Sequence, residues 1–147
     1  MQNKIDTETG TLYLNGLVIT PAMRCFADYE NGAVQGLVEI YRRQNRPERG
    51  HITLQKHIKS NGINAEITVF INEEKPSHFR INILPASGED VLLASKQWLE
   101  GMVDGYKSDG TDKIMCLKFP WGDISALYVP DPHYGQVGGD INIRYNK

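Results

Sequence analysis

Ile114–Tyr145 reads IMCLKFPWGDISALYVPDPHYGQVGGDINIRY, three apolar segments parted by turn chemistry. In Ile114–Phe119, Met115, Leu117 and Phe119 alternate with Ile114, Cys116 and Lys118, the period-2 signature of a strand. Pro120-Trp121-Gly122-Asp123 interrupts it, because Pro gives no ladder N–H and Gly accepts positive φ. Ile124–Val129 resumes the alternation. Pro130–Asp140 carries two Pro and three Gly and reads as a loop. Ile141-Asn142-Ile143-Arg144-Tyr145 then alternates cleanly, with Ile141, Ile143 and Tyr145 toward a core and Asn142 and Arg144 toward water. An antiparallel sheet follows from these segments.

Working outward, the same grammar recurs. Asn15-Gly16 between Thr11–Leu14 and Leu17–Ile19 predicts a type I′ hairpin, which needs positive φ at both central residues. Ser60-Asn61-Gly62 reads as a second hairpin turn, between Ile52–Ile58 and Ile63–Ile71, and His78–Leu84 makes a third strand of that meander. Thr20-Pro21 reads as a helix start, Thr at the N-cap and Pro at the first helical position, with the helix spanning Pro21–Tyr29 and ending at Asn31-Gly32. Val34, Leu37, Val38 and Tyr41 at helical spacing predict a helix over Ala33–Gln44, against a cost of about 1 kcal/mol for Gly36. Asn45–Gly50 reads as a loop. Ser87-Gly88-Glu89-Asp90 has the form of a capping box. It opens a helix whose stripe is Val91, Ala94/Ser95, Trp98/Leu99 and Met102. The expected architecture is one α+β domain over residues 1–147: an antiparallel sheet of about six to eight strands, two or three helices packed on one face, the other face open.

Composition narrows function by exclusion. The chain has 147 residues and a net charge of −2, the balance of an ordinary globular domain rather than of a general nucleic-acid binder. The N-terminus has no apolar signal segment, and no window is apolar enough for a membrane helix, so a cytoplasmic protein is expected. Cys25 and Cys116 match neither a disulfide framework nor a zinc spacing and read as reduced core thiols. There is no phosphate loop, no Gly-x-Ser-x-Gly elbow and no His-Glu-x-x-His. His51 and His57, six apart on one strand, would stand about 20 Å from each other, too far to share a metal. No cofactor and no metal is expected.

Two surfaces remain. Asp123, Asp131, His133 and Asp140 gather around the last two turns; carboxylates with an imidazole suit acid–base or metal chemistry, yet Asp is also what turns use for local hydrogen bonds. Trp121 at its turn is either a cover for the sheet edge or an aromatic anchor for a partner, with Tyr128, Tyr134 and Tyr145 near it in sequence. The candidate partner-binding set is therefore Trp121, Asp123, Tyr128, Asp131, His133 and Tyr134. Arg42, Arg43, Arg46, Arg49, Lys56 and Lys59 form a basic run with Tyr41 as its one aromatic, which reads as a solvated face.

The layout resembles that of small bacterial immunity proteins that partner polymorphic toxins. The stretches that carry the resemblance are Gly10–Pro21 (GTLYLNGLVITP), the meander Asn61–Leu84, and Phe119–Ile124 (FPWGDI) with Ile141–Tyr145. It implies an α+β inhibitor that binds one cognate toxin protein, without enzymatic activity, as a monomer or homodimer; it carries over no binding residues. The alternatives are a small hydrolase or metal-dependent enzyme using the Asp/His set, or a structural adaptor that dimerises through a sheet edge.

Overall fold

The computed structural model describes residues 3–23, 25–72, 75–84, 91–111, 113–128 and 139–146, the side chains of 72, 75–77, 128, 139 and 140 excepted. The fold is α+β but dominated by strands, and its helices are few and small. Strands β1 (Lys4–Ile5), β2 (Leu12–Leu14) and β3 (Leu17–Ile19) form a three-stranded sheet. The other eight strands are β4 (Val38–Arg43), β5 (Arg46–Leu54), β6 (Ile58–Ser60), β7 (Ile63–Asn72), β8 (Lys75–Leu84), β9 (Met115–Phe119), β10 (Gly122–Tyr128) and β11 (Gly139–Tyr145). They make an antiparallel sheet in the order β4-β5-β7-β8-β11-β10-β9, with β6 also paired to β7. The last strand in the chain thus lies inside the sheet, between β8 and β10.

Both predicted hairpin turns are present, and each has two positive φ values: +50° and +90° at Asn15-Gly16, as the type I′ expectation required, and +51° and +77° at Asn61-Gly62. Each inward-facing set follows strand alternation. Ala65, Ile67 and Val69 of β7 meet Phe79 and Ile81 of β8, and Ile141 and Ile143 of β11 meet Ile124 and Ala126 of β10, all fully buried. Over this face lie the three-stranded sheet and helix α2 (Val91–Met102), and one apolar cluster takes in all three. Trp98 anchors α2: it is fully buried, its Nε1 donates to Ile58 O at 3.0 Å, and its own carbonyl accepts from Ser60 Oγ at 2.8 Å.

The first helical region differs from expectation. Thr20–Met23 closes as a turn, with Met23 N donating to Thr20 O at 3.0 Å. A 3₁₀ turn at Phe26–Tyr29 then runs into helix α1 (Glu30–Val34), so Asn31-Gly32 lies within the helix rather than ending it. The terminator is Gly36, with φ +73°. Leu37 N donates to Gly32 O and Gly36 N to Ala33 O, the two bonds of a Schellman cap.

Residues 33–44 are therefore not one helix. After the cap the chain extends into β4 and turns at Gln44-Asn45 into β5, where a loop was expected. The burial of Val38 and Leu54 on one face explains the choice: a strand added to the sheet buries more apolar surface than an isolated helix here. Pro47 is tolerated because it lies between Arg46 and Gly50, where the β4–β5 register shifts. The strand expected over Ile52–Ile58 breaks after Leu54, so His51 and His57 do not share a strand. Ser87–Asp90, with the capping box, lies outside the described residues.

Candidate functional site

Strand register collects an outward-facing row that crosses seven strands. Tyr41 opposes His51, His51 opposes Phe70, and Phe70 opposes His78. His78 in turn opposes Arg144, Arg144 opposes Asp123, and Asp123 opposes Lys118. Directly paired residues of an antiparallel sheet project to the same face, with Cβ atoms close enough for contact. The four rings form a ladder. Tyr41 and His51 stack at 4.9 Å between centroids with 25° between planes, His51 and Phe70 tilt at 6.2 Å and 54°, and Phe70 and His78 stack at 5.2 Å and 15°.

A second row, Glu39–Thr53–Thr68–Arg80–Asn142–Ser125–Cys116, runs beside the first. Among the described residues no element packs on this side, since the helix and the small sheet meet only the opposite face. His51, Phe70, His78 and Arg80 are partly exposed and Tyr41 is 53% exposed. Burial chiefly, then the charges of Arg144 and Arg80, hold the His78 imidazole below its ordinary value of 6.5. Arg49 lies in the irregular stretch between Arg46 and Gly50, and its Nε is buried without an acceptor among the described residues.

The residues singled out in the sequence scatter. Asp123 lies in the first row. Trp121 turns to the covered side, where Nε1 donates to Thr7 O at 2.8 Å and the ring stacks on Phe119 at 5.0 Å and meets Tyr145 edge-on at 5.7 Å. It also closes over Gly10, where a Cβ would come within 2.6 Å of its Cδ2. Tyr145 is likewise internal: its hydroxyl donates to Gly10 O at 2.6 Å, and burial pushes its pKa up. These contacts tie the small sheet to the large one.

Tyr128 ends β10, with only its backbone described, and Asp131, His133 and Tyr134 lie outside the described residues. Asp123 and Asp140 do not gather at one end as the sequence implied. They oppose Arg144 and Leu127 respectively, four pairs apart along one hairpin, or about 13 Å. Among the described residues no His, Cys, Asp and Glu group could hold a metal. Cys25 and Cys116 are exposed rather than core thiols. Cys116 shares the outward parity of Lys118, and Cys25 precedes the 3₁₀ turn with its N–H donating to Asp28 Oδ2 at 3.1 Å.

The basic run also separates. Arg42 points to the covered side, 4.9 Å over the Phe26 ring and 3.0 Å from Glu30 Oε1, whereas Arg49 lies in the irregular stretch between Arg46 and Gly50. Lys96, which the sequence reading passed over, is fully buried on α2. Its ammonium donates to Asp109 Oδ1 at 3.0 Å and to the carbonyl and hydroxyl oxygens of Thr111 at 3.1 Å. All three of its protons are spent on holding the segment after α2, a structural clamp rather than a nucleophile.

No protein-family model, curated protein or solved structure matches this chain. Among the described residues no helix is long and apolar enough to cross a membrane.

Proposed function

We propose that this chain is a non-enzymatic protein-binding domain whose docking surface is the open face of the eight-stranded sheet, and that it acts as an immunity protein neutralising a cognate bacterial toxin. The ring ladder Tyr41–His51–Phe70–His78 carries the reading. Aromatic and arginine side chains at the middle of a face are the groups that supply most binding energy in protein interfaces, and here Arg80 and Arg144 stand beside the rings. The face also has the right size. Seven strands span roughly 30 Å and their paired lengths roughly 20 Å, about 600 Å² in projection, close to the ~800 Å² a partner contributes to a standard interface. Asp123 belongs to this docking surface from the set read in the sequence.

The test is co-expression with the product of the neighbouring reading frame, followed by size-exclusion chromatography. A stable complex is expected, lost in Phe70→Ala and weakened in Tyr41→Ala while both variants remain folded. A complex that forms equally well with both variants would remove the sheet face from the proposal. Absence of a complex at micromolar concentration counts against the immunity role.

A further inference from the structure

The edge of a sheet is a row of unpaired backbone donors and acceptors that another strand can complete, and among the described residues this molecule guards every edge but one. β4 is bent by the register shift at Arg42-Arg43, carries Glu39, Arg42 and Arg43, and has α1 against it. β6 is tied to α2 through Ser60 Oγ and Asn61 Nδ2, which donate to Trp98 O and Gln97 O. β1 and β3 have only two and three residues. β9, at the other end of the large sheet, has five residues, a continuous register with β10, no proline and the single charge of Lys118. Among the described residues no element except β10 packs on it more than marginally. We propose that this edge pairs with the β9 edge of a second copy, antiparallel and about a two-fold axis through Leu117.

The strand is complementary to itself, as a two-fold contact requires. In that register Leu117 meets Leu117 and Met115 meets Phe119 on the covered side. These three side chains are only partly buried, and a second strand closes over the apolar flank they leave to water. On the open side Cys116 meets Lys118, so no like charges are opposed. Ile114, 66% exposed just before β9, falls opposite Pro120, which lacks an N–H and ends the ladder there. An unrelated strand would need the same alternation and a matching end; a second copy has both by symmetry.

The contact is small. Five residues run about 17 Å along an edge about 10 Å thick, far below the ~800 Å² of a standard interface, so the association is weak and rises with concentration. It goes beyond the docking reading above and does not rest on it. Antiparallel pairing places the two-fold axis normal to the sheet, so the open faces of both copies lie on one side and present two docking surfaces side by side.

The experiment is sedimentation velocity on the whole chain under reducing conditions, from about 10 μM to about 1 mM. The mass is expected to rise from one copy to two, with amide exchange in β9 slowing alongside. Cys116→Glu sets two Glu–Lys pairs across the axis and should tighten the dimer roughly fivefold, whereas Cys116→Lys sets two Lys–Lys pairs and should weaken it by a like factor. Position 116 is exposed, and circular dichroism checks that both variants fold. In the Cys25→Ser chain the two Cys116 residues stand diagonally, about 7–8 Å apart, within reach of a short bismaleimide; a covalent dimer is expected that Cys25→Ser/Cys116→Ser does not give. A single-copy mass throughout the range overturns the proposal, as does growth beyond two copies, which would mean that another edge is open. A dimer indifferent to both charges, or weakened by both, also overturns it, because the contact would then lie elsewhere or in another register. None of these results touches the docking reading, whose test is the Phe70→Ala complex.

Discussion

Replacing Trp121 by Ala separates a clasp from an anchor. Trp121 joins the two sheets through its bond to Thr7, its stack on Phe119 and its cover over Gly10. An enclosed Trp buries about 150–250 Å², and Trp121 retains some exposure, so about 150 Å² at about 25 cal/mol per Å² amounts to about 4 kcal/mol. Loss of the Thr7 hydrogen bond adds about 1 kcal/mol, and partial collapse of the gap takes some back. The expected loss is about 3–5 kcal/mol for Trp121→Ala. Trp121→Phe keeps a ring over Gly10 but has no N–H for Thr7, and should lose about 1–2 kcal/mol. Urea unfolding followed by far-ultraviolet circular dichroism measures both. A loss below about 1 kcal/mol for Trp121→Ala would refute the clasp; if binding to the partner fell instead, Trp121 would return to the docking surface.

Four further outcomes are expected. Gly36→Ala should cost about 1–2 kcal/mol in thermal melts, with Gly36→Asn intermediate, because nothing lies near a Cβ there and only the positive φ opposes it. Lys96→Met should cost about 1–3 kcal/mol and speed amide exchange at Thr111, since the acceptors held by the ammonium lose their donor. Because folding lowers the His78 pKa, the unfolded chain binds more protons just below pH 6.5. Stability should therefore decline as pH falls from 6.5 through the folded-state pKa, and His78→Gln should flatten that limb in urea titrations. The Thr111 backbone N–H first, then the Lys96 and Thr111 side chains, hold the Asp109 carboxyl down to about 2. Its contribution is present above 3.8 and lost as pH falls toward 2, a limb that Lys96→Met should shrink.

Local chemistry made much of the fold legible. Asn15-Gly16 named its own turn type, Ser60-Asn61-Gly62 marked a second hairpin, and the alternations of Ile63–Ile71 and Ile141–Tyr145 named their buried faces. The β4–β5 hairpin was hidden for a physical reason. Val34, Leu37, Val38 and Tyr41 satisfy helical spacing, while the competing alternation of Val38 and Ile40 is short and its turn, Gln44-Asn45, lacks glycine. Gly36 was the available clue: its cost within a helix is the reason it ends one. The ring ladder was less accessible still. Each of Tyr41, His51, Phe70 and His78 has outward parity in its own strand, but their adjacency comes from register among four strands, which a one-dimensional pattern does not contain. Lys96 was missed because its acceptors come from a segment whose path no periodicity predicts.

The position of β11 has a consequence for how the molecule assembles. Among the described residues it alone bridges the meander ending in β8 and the hairpin β9–β10, so before it docks the sheet exists as two fragments, each with a bare hydrogen-bonding rim. Closing the gap from Leu84 to Gly139 costs chain entropy that local hairpins avoid, which makes insertion of this strand the natural slow step of folding. A proteolytic nick between β10 and β11 would leave those rims free to recruit the matching strand of another molecule, building a strand-exchanged chain of copies.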